Sequence, residues 1–181
     1  TDVHGSLLPW DDLADRAASR GLAKAATLVA KIRAEGPPVL LLDNGDALAG
    51  SPLTSVWHRD PAGAPEPVTL VMNAMQYDAM GLGNHEFDFG PAALEKARAA
   101  AAFPFLAANV VRADGSPAFP ATLVKQLPSG VRIGVIGLAT PATPQLADPA
   151  QIAGYSFLDP IAVATREAAR LRGAERCDVV I

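Results

Sequence analysis

Short apolar runs alternate along this chain with segments whose apolar positions recur every three or four residues. In "GLAKAATLVAKIRAEG" (21–36), Leu22, Ala25, Ala26, Leu28, Val29 and Ile32 fall near helical spacing, and Lys24, Lys31 and Arg33 fall elsewhere. Gly36 and the Pro37-Pro38 pair stop that helix. "VLLLD" (39–43) is a continuous apolar run, the pattern of a strand covered on both faces. "HRDPAGAPEP" (58–67) reads as a loop, "VTLVMNAMQY" (68–77) as a helix and "DAMGLG" (78–83) as a short strand. "PAALEKARAAAA" (91–102) is helical, with Pro91 in the first turn, where its missing N–H costs nothing. "FPFLAANVV" (103–111) reads as one further strand.

The pattern then changes. "ADGSP" and "PSG" are turns around the strand-like "AFPATLVKQL" (118–127), and "VRIGVIGLA" (131–139) is a strongly apolar strand, which predicts an antiparallel excursion. "DPIAVATREAARLRG" (159–173) is a helix with Asp159 as N-cap and Pro160 at its first position, and "CDVVI" (177–181) is a final strand. Strands alternating with helices predict an α/β layered fold with mixed, mostly parallel sheets. Sites in such folds sit in loops at the carboxyl ends of strands.

The 181 residues fit one domain with a sizeable core, and a chain half hydrophobic and 19% charged has an ordinary globular composition. A net charge of −4 with no Lys/Arg stripe argues against a grip on nucleic acid. The lone Cys177 rules out an internal disulfide framework and a cysteine zinc site, and it reads as core. No apolar run reaches the ~18–20 residues of a membrane span. The chain opens at "TDVHG" and closes at "CDVVI", which suggests a piece of a longer protein.

Three blocks carry the candidate chemistry: Asp2 and His4, then Asn44-Gly45-Asp46, then Gly83-Asn84-His85-Glu86. Each falls at an expected strand end. Asp2 and His4, two apart in an extended segment, would point the same way. Carboxylate, imidazole and amide oxygen together suit a divalent ion such as Mn, Fe or Zn. Taken singly, each block has a plainer reading as a turn or surface feature. Asp43 reads as loop support, Ser51 as a turn residue, His58 as an exposed loop residue, and Trp10 and Trp57 as loop or partial-core anchors rather than nucleobase stackers. No Gly-x-Gly-x-x-G loop and no Gly-x-Ser-x-Gly elbow is present, so dinucleotide and serine-hydrolase readings are set aside.

"DVHG", "DNGD" and "GNHE", in this order and with the flanks "DNGDALAGSPL", "NAMQYDAMGLGNHEFDFG", "FPFLAANV" and "VRIGVIGLATPATP", resemble the calcineurin-like metallophosphoesterases. The resemblance is closest to the 5'-nucleotidase / 2',3'-cyclic-nucleotide phosphodiesterase branch and covers nearly the whole chain. It implies an α/β/β/α sandwich, incomplete here, with residues 1–181 as the N-terminal portion of the catalytic domain and the nucleotide-binding domain absent. It also implies two divalent ions (Mn, Zn, Fe or Mg). Asp2 and His4 would hold the first, Asp46 would bridge both, and Asn84 would hold the second. A hydroxide on the ions would attack a nucleotide phosphoester in line, with His85 beside the phosphate and Asp88 fixing the ring of His85. Glu86 has no clear role in that scheme beyond loop support.

The family completes its site with further histidines that this chain lacks, so the chain alone is expected to bind metal weakly and to turn over little or nothing. The resemblance further implies a small-molecule nucleotide or phosphoester substrate and a periplasmic or extracellular location. Two other readings stay open: a same-fold hydrolase for another ester, such as a thiosulfate-oxidation hydrolase, and a non-catalytic scaffold.

Overall fold

The computed structural model describes residues 1–59 and 64–181. In chain order the elements are β1 (Trp10–Asp11), β2 (Arg16–Ala17), α1 (Leu22–Ala34), β3 (Leu42–Asp43), α2 (Pro52–Arg59), α3 (Pro67–Ala74) and β4 (Ala79–Gly81). A 3-10 turn (His85–Phe87), α4 (Gly90–Ala100), β5 (Phe105–Leu106), β6 (Val110–Arg112), β7 (Thr122–Gln126) and β8 (Arg132–Ile136) follow. The chain then runs through α5 (Thr143–Leu146), β9 (Tyr155–Phe157), α6 (Pro160–Gly173) and β10 (Val179–Val180).

Two three-stranded sheets form the centre. β3, β4 and β5 are parallel, with Asp43 opposite Met80 and Gly81 opposite Leu106. In the other sheet β8 pairs in parallel with β10 and antiparallel with β7, the expected excursion. The two-residue period of a strand distributes the side chains between layers. Met80 and Phe105 join the large core with Leu22 of α1, Met72 of α3 and Leu94 of α4. Their strand neighbours Ala79 and Leu106 turn the other way and meet Val135 of β8. α6 lies beyond β8, where Leu171 and Cys177 crowd the Cα of Gly134. The order helices, sheet, sheet, helix is therefore the α/β/β/α sandwich, with Cys177 in its core.

Side-chain caps start three of the helices. The Asp159 carboxylate accepts the Ile161 N–H at 2.9 Å and caps α6 as the sequence predicts. α3 is capped by Glu66, whose buried carboxylate accepts from Val68 and Thr69. Ser51 caps α2 by accepting the Thr54 N–H, so its role is a helix start.

Three expectations about elements are corrected. The segment 103–111 is two strands, because at Ala107 and Ala108 the chain leaves its sheet to bond Pro120 and Gly137. Asn109 fixes that crossing through Ala139 and Leu158. Of the loop expected over 58–67, His58 and Arg59 belong to α2, and residues 60–63 lie outside the described residues. His58 is accordingly not an exposed loop residue: it is half-buried, with its ring stacked on Phe89 at 3.6 Å. Among the described residues no helix is long and apolar enough to cross a membrane.

Candidate metal centre

β3 and β4 are hydrogen-bonded neighbours running in parallel, so the loops at their carboxyl ends emerge side by side. Asp43 accepts the Gly45 N–H at 2.8 Å and turns the first loop back over the strand ends. Burial pushes the Asp43 carboxyl up, and the Gly45 bond works against that shift. The two loops touch at glycines. Gly45 has φ +93°, and a Cβ there would overlap the Gly83 backbone; a Cβ on Gly83 would overlap the Asp46 carboxylate. Glycine is needed at both positions because backbone meets backbone.

The segment 2–5 lies along the same loop. Asp2 N–H donates to Gly45 O at 3.0 Å, His4 N–H to Asp46 O at 3.0 Å and Gly5 N–H to Ala47 O at 2.8 Å. Here the reason given for the convergence of Asp2 and His4 is corrected. They are not extended: Asp2 has φ 56° and His4 φ 46°, and Asp46 has φ 56° as well. Each left-handed residue costs about 1–2 kcal/mol. These three are half of the six non-glycine residues with positive φ among the described residues, which marks the place where backbone strain is concentrated. One ligand-capable atom from each of Asp2, His4 and Asp46 lies within 4.8 Å of the others.

Asn84 lines the cleft of about 420 Å³ that Asp2 and Asp46 also line. His85 stands on the other flank, its ring centroid 5.1 Å from that of His4. The His85 backbone N–H donates to Asp46 Oδ1 at 3.0 Å. Both histidines have their tautomer set by a neighbour that can only accept. His4 Nδ1–H donates to the Ala49 carbonyl at 3.2 Å, which leaves Nε2 free to ligate. His85 Nδ1–H donates to Asp88 Oδ2 at 2.8 Å, which leaves its Nε2 free. That bond to Asp88 is the main reason the His85 pKa is raised; burial opposes it, and the charges of Asp88, Asp46 and Glu86 add to it.

Glu86, for which the sequence reading offers loop support and nothing more, does support the loop, through four backbone N–H groups. Glu86, 3% exposed, accepts N–H bonds from Asp46 (2.8 Å), Ala47 (2.7 Å), Leu48 (3.2 Å) and Gly83 (2.8 Å). Burial pushes its carboxyl up, and the four N–H groups pull it down. A carboxylate inside a glycine-flanked turn, where neither solvent nor a helix face accommodates it, was the available signal. The alternative metal types stay open, but the donor set fits a divalent cation: carboxylates from Asp2 and Asp46, the free imidazole nitrogen of His4 and the nearby amide of Asn84 are oxygen and nitrogen ligands suited to Mn, Fe or Zn.

No family model matches the chain. It is 38% identical, over 89% of its length, to the 5'-nucleotidase of Vibrio cholerae. It is 33% identical, over 89% of its length, to the 2',3'-cyclic-nucleotide 2'-phosphodiesterase/3'-nucleotidase of Yersinia enterocolitica. The chain spans only 29% and 26% of these two curated relatives. The crystal structure of the calcineurin-like phosphoesterase YfkN from Bacillus subtilis superposes with a TM-score of 0.89 at 29% identity, covering 99% of this chain and 58% of that one.

Proposed function

This chain belongs to the calcineurin-like phosphoesterases, and from that membership we propose that it supplies part of a two-metal centre for hydrolysis of nucleotide phosphoesters. The observation that carries the proposal is the convergence of Asp2, His4 and Asp46 within 4.8 Å, held there by strained backbone. Asp2 and His4 would hold one ion, Asn84 the second, and Asp46 would serve both. When bound, the ions supply an activated water and a sink for the negative charge of the transition state. The chain's own groups do the rest. His85 Nε2 faces the phosphate or the leaving oxygen. Asp88 keeps the His85 proton on Nδ1 and favours the charged ring, which is the form that stabilises a developing negative oxygen. The substrates are nucleoside 5'-monophosphates or 2',3'-cyclic nucleotides, taken from what the relatives' names state of those proteins. By the same resemblance we place the protein in the periplasm or outside the cell, which fractionation of the native cells tests.

The experiment is metal content and phosphatase activity, side by side, for this chain and for one extended through the family's remaining histidines. AMP, 2',3'-cyclic AMP and an aryl phosphate serve as substrates, with Mn added. The extended chain is expected to hold two ions and hydrolyse a nucleotide. Asp46→Asn is expected to abolish turnover, and His85→Ala to slow it about 100- to 10,000-fold. Turnover of the aryl ester without either nucleotide would favour the non-nucleotide hydrolase. An extended chain with neither metal nor activity would leave the scaffold reading standing.

A further inference from the structure

We propose that Glu86 is the positioning residue of this centre: its one carboxylate sets the separation between the Asp46 loop and the Asn84 loop. The proposal rests on the metal reading above. Three of the four N–H groups that Glu86 accepts come from consecutive residues, Asp46, Ala47 and Leu48, and the fourth comes from Gly83 on the other loop. Successive amides converge on one anion where a left-handed residue or a turn curls the backbone into a nest. Asp46, with φ 56°, supplies the left-handed member. The strain at Asp46 and the burial of Glu86 are thus two halves of one device, in which an internal carboxylate fills the nest. A second bond crosses in the opposite sense, from the His85 N–H to Asp46 Oδ1. Asp46 and the Asn84–His85 pair are therefore braced reciprocally before any ion arrives. Without Glu86, Asp46 loses the acceptor that holds its strained backbone, and its carboxylate swings away from Asp2 and His4.

Glutamine is nearly the same shape, but its NH2 would face amide donors where a carboxylate oxygen accepted them. The test uses the chain extended through the family's remaining histidines and compares Glu86→Gln with that otherwise unaltered protein, by amide hydrogen exchange without metal and by Zn²⁺ affinity in competition with a chromophoric chelator. Expected are amides of Asp46, Ala47, Leu48 and Gly83 that exchange about tenfold faster or more, with α1 and α4 protected as before. Zn²⁺ affinity is expected to fall about 10- to 100-fold. Unchanged exchange at those four amides overturns the proposal. So does faster exchange with unchanged Zn²⁺ affinity, since Glu86 would then support the loop without positioning ligands. No Zn²⁺ uptake by the unaltered protein overturns the metal reading and the positioning role with it, whereas uptake that Glu86→Gln leaves unchanged overturns the positioning role alone. Should the glutamine variant not fold, Glu86→Asp carries the test: one methylene shorter, it keeps the charge but falls short of the Asp46–Leu48 amides, so faster exchange there and weaker Zn²⁺ binding must appear together or the proposal fails.

Discussion

Gly83 has no side chain for a reason that lies 37 positions upstream, in the Asp46 carboxylate and amide it abuts. Alanine there would push on the Asp46 carboxylate. Gly83→Ala is expected to cost about 2 kcal/mol or more in urea unfolding, the size of a core overpacking, and to widen the cleft between Asp46 and Asn84. The sequence marks this glycine as a turn former, which is true and incomplete. The same holds for Asp2, His4 and Asp46. Their side-chain chemistry is legible as metal-ligating, but their left-handed backbone is not, because ordinary preference for such residues is against it. Glu86 shows the limit from the other direction. Its partners are 38 to 40 residues away for three of its four bonds, beyond any local pattern.

Helices with a wide apolar stripe or a strong cap, such as α1, α4 and α6, were readable from spacing alone. α2 was not. Its eight residues carry an exposed Leu53 and Val56 and end beside a Pro/Gly-rich segment, and no helix was expected there. What makes it a helix is the Ser51–Thr54 cap and the shelf formed by Trp57 and His58 against Phe89, with Lys96 over the Trp57 ring. Burial lowers the His58 pKa; a backbone bond at Leu48 opposes the shift, and the nearby Lys96 charge adds to it. The sign for stability follows. Below the ordinary histidine value of about 6.5 the unfolded chain takes up a proton that folded His58 resists. This contribution is therefore fully present above about pH 6.5 and is lost as the pH falls beneath it. Urea midpoints at pH 8 and pH 5.5 should differ less in His58→Phe, which keeps the stacked ring and removes the titration, than in the unaltered protein.

The two sheets meet at Leu106, which is 1% exposed and packs with Ala79 on one side and Val135 on the other. Leu106→Ala is expected to cost about 3 kcal/mol and to speed amide exchange in both sheets together, because the cavity opens on the surface they share. Exchange rising in one sheet only would show that the layers unfold separately. The layered α/β pattern was legible from the residues, and the α/β/β/α order from the family resemblance alone. Apolar runs, helical stripes and the turn-bounded hairpin are set by side-chain periods of two and near four, and these act within a few residues. The three candidate blocks were legible too, since side chains that suit a cation are written in the chain. Only the tertiary structure decided which of them meet, the break in the chain at 107–109, the burial of His58 and the work of Glu86. Each of those depends on a hydrogen-bond or packing partner distant in sequence, and burial then turns an unremarkable side chain into one that must be satisfied.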